Sequence, residues 1–185
     1  MVVLLIVLLV IVLSFIFVIL GYNSLVNLRN RVKNAWAQID VQLKRRHDLI
    51  PNLVEVAKRY MEHEKETLEG VIKARSQVIN VNAEDIEKRM KAENFLSQTL
   101  RSLFAVMERY PNLKADVQMR QIHEELVSTE NKIAFARQFY NDEVTLYNTK
   151  LESFPYNIIA NLFGFYAMPL FQVDEQEKES LRVQF

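Results

Sequence analysis

From Met1 to Leu28 no side chain carries a charge, and that run decides what the rest of the chain can be. The stretch MVVLLIVLLVIVLSFIFVIL consists of Val, Leu, Ile and Phe after the initial Met, with Ser14 as its polar exception. A helix rises ~1.5 Å per residue and the hydrocarbon core of a bilayer is ~30 Å thick. Residues 2 to 21 are therefore long enough to cross it. A cleaved signal peptide would need a basic stretch ahead of the apolar run and a small-residue cleavage site. Nothing precedes the run, and Ile19-Leu20-Gly21-Tyr22 is a poor site. The expectation is an uncleaved anchor.

Basic residues follow the run directly: Arg29, Arg31 and Lys33 come before the first acid, Asp40, and Lys44, Arg45 and Arg46 come after it. The positive-inside rule then puts the domain in the cytoplasm and the N-terminus outside. The sequence contains no cysteine. That fits either compartment and excludes a disulfide framework or a thiolate metal site.

Beyond the anchor there is chain enough for one domain with one core. Lys plus Arg and Asp plus Glu number 23 each, so no polyanion signal is present and nucleic acid is not an expected partner. Punctuation is sparse, with three glycines and four prolines. A sheet would need turns every ten residues or so, so long helices are favoured.

Apolar positions keep a helical period through Leu25, Leu28, Val32, Trp36, Ile39, Leu43, Ile50, Leu53, Ala57 and Tyr60 or Met61. Pro51 falls inside this run, where proline usually kinks or breaks a helix. The alternatives are a turn at Arg46-His47-Asp48 or one long helix kinked near Pro51. The apolar phase continues across the proline with only Arg46 interrupting, and this favours the kinked helix. A second helix is expected from about His63-Glu64 through Leu68, Val71, Ile72, Val78 and Ile79, with a break at Asn80-Val81-Asn82. Glu84 and Asp85 stand where helix-start acids belong, opening a third helix through Ile86, Met90, Leu96, Leu100, Leu103 and Met107. Tyr110-Pro111-Asn112 reads as a turn. A fourth helix follows with the cleanest stripe: Leu113, Val117, Ile122, Leu126, Ile133, Ala136, Tyr140, Val144, Tyr147 and Leu151.

The outer helices, about 22 to 62 and 112 to 152, match in length, and the two between them are shorter. The expected fold is all-α: a transmembrane helix at 1–21, then an antiparallel up-and-down four-helix bundle at 22–152 whose long outer helices return the chain to the membrane. What arrives there, residues 153–173 (SFPYNIIANLFGFYAMPLFQV), is again uncharged and holds Phe154, Tyr156, Phe163, Phe165, Tyr166 and Phe171. Pro155, Gly164 and Pro169 divide it into pieces too short to span. It reads as an interfacial segment, as a cap over the bundle end, or as a patch for a neighbouring subunit. Residues 174–185 form a charged tail.

The stretch YNSLVNLRNRVKNAWAQIDVQLKRRHDLIPNLVEVAKRYMEHEKETLEGVIKAR closely resembles the bacterial LemA family. So do STENKIAFARQFYNDEVTLYNTKLESFP, NIIANLFGF and the ending RVQF. The resemblance implies an N-terminal anchor in the bacterial cell (inner) membrane and an antiparallel four-helix bundle. It implies no activity and no cofactor.

A search for chemistry finds little. A di-iron bundle needs Glu-x-x-His pairs, and the residues three before His47, His63 and His123 are Lys44, Tyr60 and Arg120. No two histidines have the spacing of a helical zinc protease, and glycines this sparse preclude a phosphate loop. His63-Glu64 and His123-Glu124 could meet at the far end of the bundle, although a chance solvated pair is the plainer account. On the first helix, Asn30, Asn34, Gln38, Asp40, Gln42, Arg45 and Arg46 crowd the apolar face. They read as surface with a few satisfied core contacts, or as lateral recognition in which Asp40 pairs with Arg45 or Arg46 across subunits.

Three functions remain. The leading one is a non-catalytic scaffold that contacts membrane lipid and self-associates as a homo-oligomer through its helices and aromatic segment. The second is an adaptor or sensor presenting the bundle to another envelope protein. The third is an enzyme, which a pocket of perturbed ionisable groups would reveal.

Overall fold

A computed structural model of the chain describes residues 1–82 and 85–172. Every regular element among them is helical: α1 (Val2–Lys58), α2 (Lys65–Asn80), α3 (Ile86–Met107), α4 (Pro111–Ala115), α5 (Val117–Glu152) and α6 (Tyr156–Phe163). Glu84, Val173 and the charged tail lie outside the described residues.

The N-terminal apolar run and the helix after it are one element. α1 runs for 57 residues through Pro51, so of the two expectations the long helix through the proline forms and the turn at Arg46-His47-Asp48 does not. Proline lacks the N–H that would bond the carbonyl four residues back. That carbonyl, on His47, instead accepts a hydrogen bond from Arg75 Nε at 2.8 Å. A side chain from α2 thus supplies the donor that Pro51 cannot.

The third helix starts where the acids predict. Asp85 caps α3, accepting from the Lys88 backbone N–H at 3.1 Å. The expected turn at Tyr110-Pro111-Asn112 is corrected: Pro111 opens the short helix α4, and proline suits a first helical position. The next helix then begins at Val117 rather than near residue 112, with Asp116 accepting from the Met119 N–H at 3.0 Å. This restart shifts the phase. Val117, expected in the core, is 58% exposed, and Met119 is buried in its place. On α2, Ile72 and Ile79 are also exposed, while Ala74 is buried.

Two compact units divide the chain, one from Met1–Gln38 with Ala136–Leu170, the other from Ile39–Phe135 with the chain from Phe171. In the first, Leu25, Val32 and Ala35 of α1 are buried, as are Tyr140, Val144, Tyr147 and Leu151 of α5. Trp36 meets Tyr140 edge-on, ring centroids 5.4 Å apart. The apolar run of α1 ahead of Gly21 is exposed except near its end, where Val18 is half-buried; α1 is the one helix among those described that is long and apolar enough to cross a membrane. In the second unit, α2, α3, α4 and the adjoining parts of α1 and α5 share a core built around Leu53, Val71, Leu96, Leu103, Leu113 and Leu126.

Candidate functional site

Two places concentrate polar or aromatic side chains, one in each unit. The first surrounds Arg46. Its position continues the α1 stripe between Leu43 and Ile50, so the helix carries a cation straight into the core, where the residue is fully buried. On α3 the apolar stripe has a matching gap between Met90 and Leu96, and Glu93 fills it, also fully buried. Arg46 Nη2 pairs with Glu93 Oε2. Arg46 Nη1 donates to Ser97 Oγ at 2.6 Å and to Glu130 Oε2 at 2.8 Å. His47 Nε2 lies 3.0 Å from Glu93 Oε1. Burial by itself would raise the Glu93 carboxyl; the His47 hydrogen bond and the Arg46 guanidinium outweigh it and hold the group below the usual carboxylate value.

The residues named for lateral contact all find partners within the chain. Asp40 Oδ1 is 2.9 Å from Arg89 Nη2. Arg45 Nη2 is 2.6 Å from Glu125 Oε1, with both side chains still partly exposed. Arg46 points inward. Hydrophobic patterning treats its charge as an interruption of the stripe and passes over Glu93 and Ser97; the signal is the pair of complementary gaps, one on each helix.

His63 and His123 line separate depressions, the first with Lys58, Glu62 and Lys65. His123 stacks edge-on against Phe104, centroids 4.6 Å apart, beside a half-open cleft of about 130 Å³ lined by Met107 and Met119. That is smaller than the roughly 300–1,000 Å³ usual for a small organic ligand, whereas the open depression at His63, about 670 Å³, is within that range. Among the described residues no three His, Asp or Glu side chains gather closely enough to hold a metal ion.

The second place is where the aromatic segment meets α1. Beyond the cis Phe154-Pro155 bond, α6 lies against the last turns of the apolar run. Tyr156 contacts Phe17, centroids 6.0 Å apart, and Phe163 meets Tyr22 edge-on at 4.9 Å. Gly21 permits this approach, because a Cβ there would run into Ile159 Cδ1. Gly164 ends α6 in the left-handed region (φ 69°), where glycine is favoured. The chain then returns to α5 without regular structure: the Asn148 side chain donates to Met168 O at 2.9 Å and accepts from Met168 N at 3.0 Å, while Tyr140 Oη donates to Pro169 O at 2.9 Å. Burial pushes the Tyr140 hydroxyl up to about 12.

Of the six aromatics singled out from the sequence, Phe165 and Phe171 are buried and Tyr156 is half-buried. Phe154 (79%), Phe163 (48%) and Tyr166 (80%) remain exposed, joined by Ile158 and Leu162 of α6. Two cations flank the segment. Arg29 Cζ stands 5.0 Å from the Phe165 ring centroid, and Lys150 Nζ 3.5 Å from that of Tyr156. Neither has an acidic partner among the described residues. Arg31, by contrast, is paired with the buried Glu143 at 2.6 Å.

Comparison with known proteins agrees with the sequence resemblance. The LemA family profile matches residues 35–185. Protein LemA of Metamycoplasma hominis is 28% identical over 160 residues, covering 84% of this chain and 71% of that protein. Magnetosome protein MamQ 2 of Paramagnetospirillum magneticum is 26% identical over 176 residues, and Magnetosome protein MamQ of Magnetospirillum gryphiswaldense 21% over 168. The chain spans 64% and 62% of the lengths of these last two, less than two thirds of each.

Proposed function

We propose, from the premise that the chain belongs to the LemA family, that it is a non-catalytic membrane-anchored scaffold that self-associates through its helices. The observation that carries this reading is a second apolar line on α5. Phe139 (44% exposed) and Leu146 (51%) lie seven residues apart in the first unit, which keeps them on one side of the helix. Outward aromatic and aliphatic side chains at helical spacing suit a neighbouring helix of a second copy. Confinement by the anchor to one membrane raises the effective concentration at which copies meet.

We read the domain as an antiparallel up-and-down four-helix bundle. Within the second unit the partner numbers fall as those along the earlier stretch of chain rise: Arg45 of α1 pairs with Glu125 of α5, and Tyr60, just past α1, with Asp116, just ahead of α5. The basic residues after the run favour a cytoplasmic domain and an N-terminus outside, in the bacterial cell (inner) membrane.

The test is the mass of the full chain purified in mild detergent. A scaffold yields multiples of its own mass, and Phe139→Ser with Leu146→Ser reduces them towards the monomer without lowering thermal stability. A stoichiometric second protein in place of multiples would identify an adaptor instead. A monomer in native membranes would defeat both readings.

A further inference from the structure

α6 is held at a definite place along α1. Its inner side chains touch Phe17, Gly21 and Tyr22, which are the final turns of the 20-residue apolar run and the residue just after it. At ~1.5 Å per residue, Phe17 lies about 6 Å inside the end of that run. If the run fills the hydrocarbon core, α6 therefore lies at the core's edge. Its opposite side is apolar and uncovered: Ile158 is 58% exposed and Leu162, one turn on, 72%, with Phe154 (79%) before the helix and Tyr166 (80%) after it. Lys150 Nζ stands 3.5 Å from the Tyr156 ring centroid, which is itself 6.0 Å from that of Phe17, so this ammonium lies beside α6 near the end of the run, without a carboxylate among the described residues. Arg29 is a second such cation nearby.

We propose that α6, with Phe154 and Tyr166, is a second membrane contact, lying in the bilayer interface beside the anchor and favouring anionic headgroups through Lys150 and Arg29. This follows from three features together. Aromatic and aliphatic side chains on a short helix suit the headgroup boundary, and a lysine at that depth can reach phosphate by extending along its stem. Continuity with the span identifies the bilayer as the occupant, because any molecule covering Leu162 must share this level with lipid. The inference rests on the anchored reading of α1, and its test separates the two.

The chain has no cysteine, so a single introduced one can carry a unique nitroxide label. Labels at Leu162→Cys and Phe154→Cys report on α6, Leu9→Cys on the anchor, and Asn34→Cys on exposed helix about 20 Å past Gly21. Full-length protein is placed in nanodiscs of phosphatidylcholine, or of an equal mixture with phosphatidylglycerol. Collisions with oxygen, which partitions into lipid, are compared with those of a water-soluble nickel chelate. Labels at 162 and 154 should resemble that at 9 rather than that at 34. The ratio of lipid-facing to water-facing label should rise roughly five-fold per engaged cation in the anionic discs. Lys150→Gln with Arg29→Gln should remove the rise.

Water-like behaviour at both α6 positions with lipid-like behaviour at 9 overturns the proposal and leaves the anchor standing. Water-like behaviour at 9 as well overturns the anchored reading and the proposal together. Shielding from both reagents, with spin–spin broadening that disappears on dilution with unlabelled chain, assigns the surface to a second copy and overturns the lipid contact. Shielding without broadening makes α6 a closed cap and overturns the lipid contact likewise. No difference between neutral and anionic discs overturns the headgroup preference. All four label sites are exposed, so each labelled chain should keep its helicity, and agreement between 162 and 154 guards against a local effect of either substitution.

Discussion

Removing the Arg46 guanidinium strands the Glu93 carboxylate away from water, and breaking one side of a buried pair typically costs about 3–5 kcal/mol. Arg46→Met should lower unfolding free energy by roughly that amount in urea titrations, whereas Arg46→Met with Glu93→Leu should cost less than the single change. The same pair gives stability a pH dependence. Glu93 is held below its unfolded value, so its contribution is fully present above that value, about pH 4, and is lost as pH falls through the folded value. Denaturant midpoints measured against pH should show this loss, reduced in Glu93→Gln. Arg75 offers a second cycle. Arg75→Met leaves the His47 carbonyl without its donor and should cost about 1–3 kcal/mol. In a Pro51→Ala background the N–H restored at position 51 can bond that carbonyl, so Arg75→Met should then cost less.

At the scale of elements, the α5 stripe carries the strongest expectation. Ile133 is 1% exposed, and Ile133→Glu would bury an unpaired carboxylate at a cost of several kcal/mol, comparable to the stability of a whole domain. Loss of cooperative melting in the full chain is the expected result; an unchanged melt would remove Ile133 from the core. The helices are legible in the sequence where apolar residues alone set the phase. Leu126, Ile133, Tyr140, Val144 and Tyr147 are buried as their spacing requires. Reading by hydrophobicity fails where a polar group takes a core position. Arg46, Glu93 and Ser97 occupy stripe positions, and each is invisible to a count of apolar residues because its burial depends on a partner distant in the chain. The start of α5 departs from its sequence expectation for a local reason: Asp116 caps a new helix only three residues after Leu113, and the restart takes Val117 out of phase. The contacts of the aromatic segment stay open in the sequence because its side chains carry no charge to pair, while Gly21, the small residue that admits Ile159, lies more than a hundred residues earlier.

For the molecule as a whole, sidedness is the first matter to decide. With Arg29, Arg31 and Lys33 directly after the run, protease added outside intact cells should leave the domain uncut and digest it once the membrane is opened. Digestion in intact cells would reverse the orientation. Whichever side it faces, α1 passes from the apolar run to Gln38 within one unit without a loop or a glycine-rich joint. A flexible leash of the same number of residues would let its cargo wander over a hemisphere and fold back to the lipid. A helical stem does neither. It sets a working height, about 25 Å for the stretch from Gly21 to Gln38, and leaves tilt of the stem as the means of changing it. If the run spans a bilayer, a molecule that meets the stem at Gln38 does so at that height above the lipid.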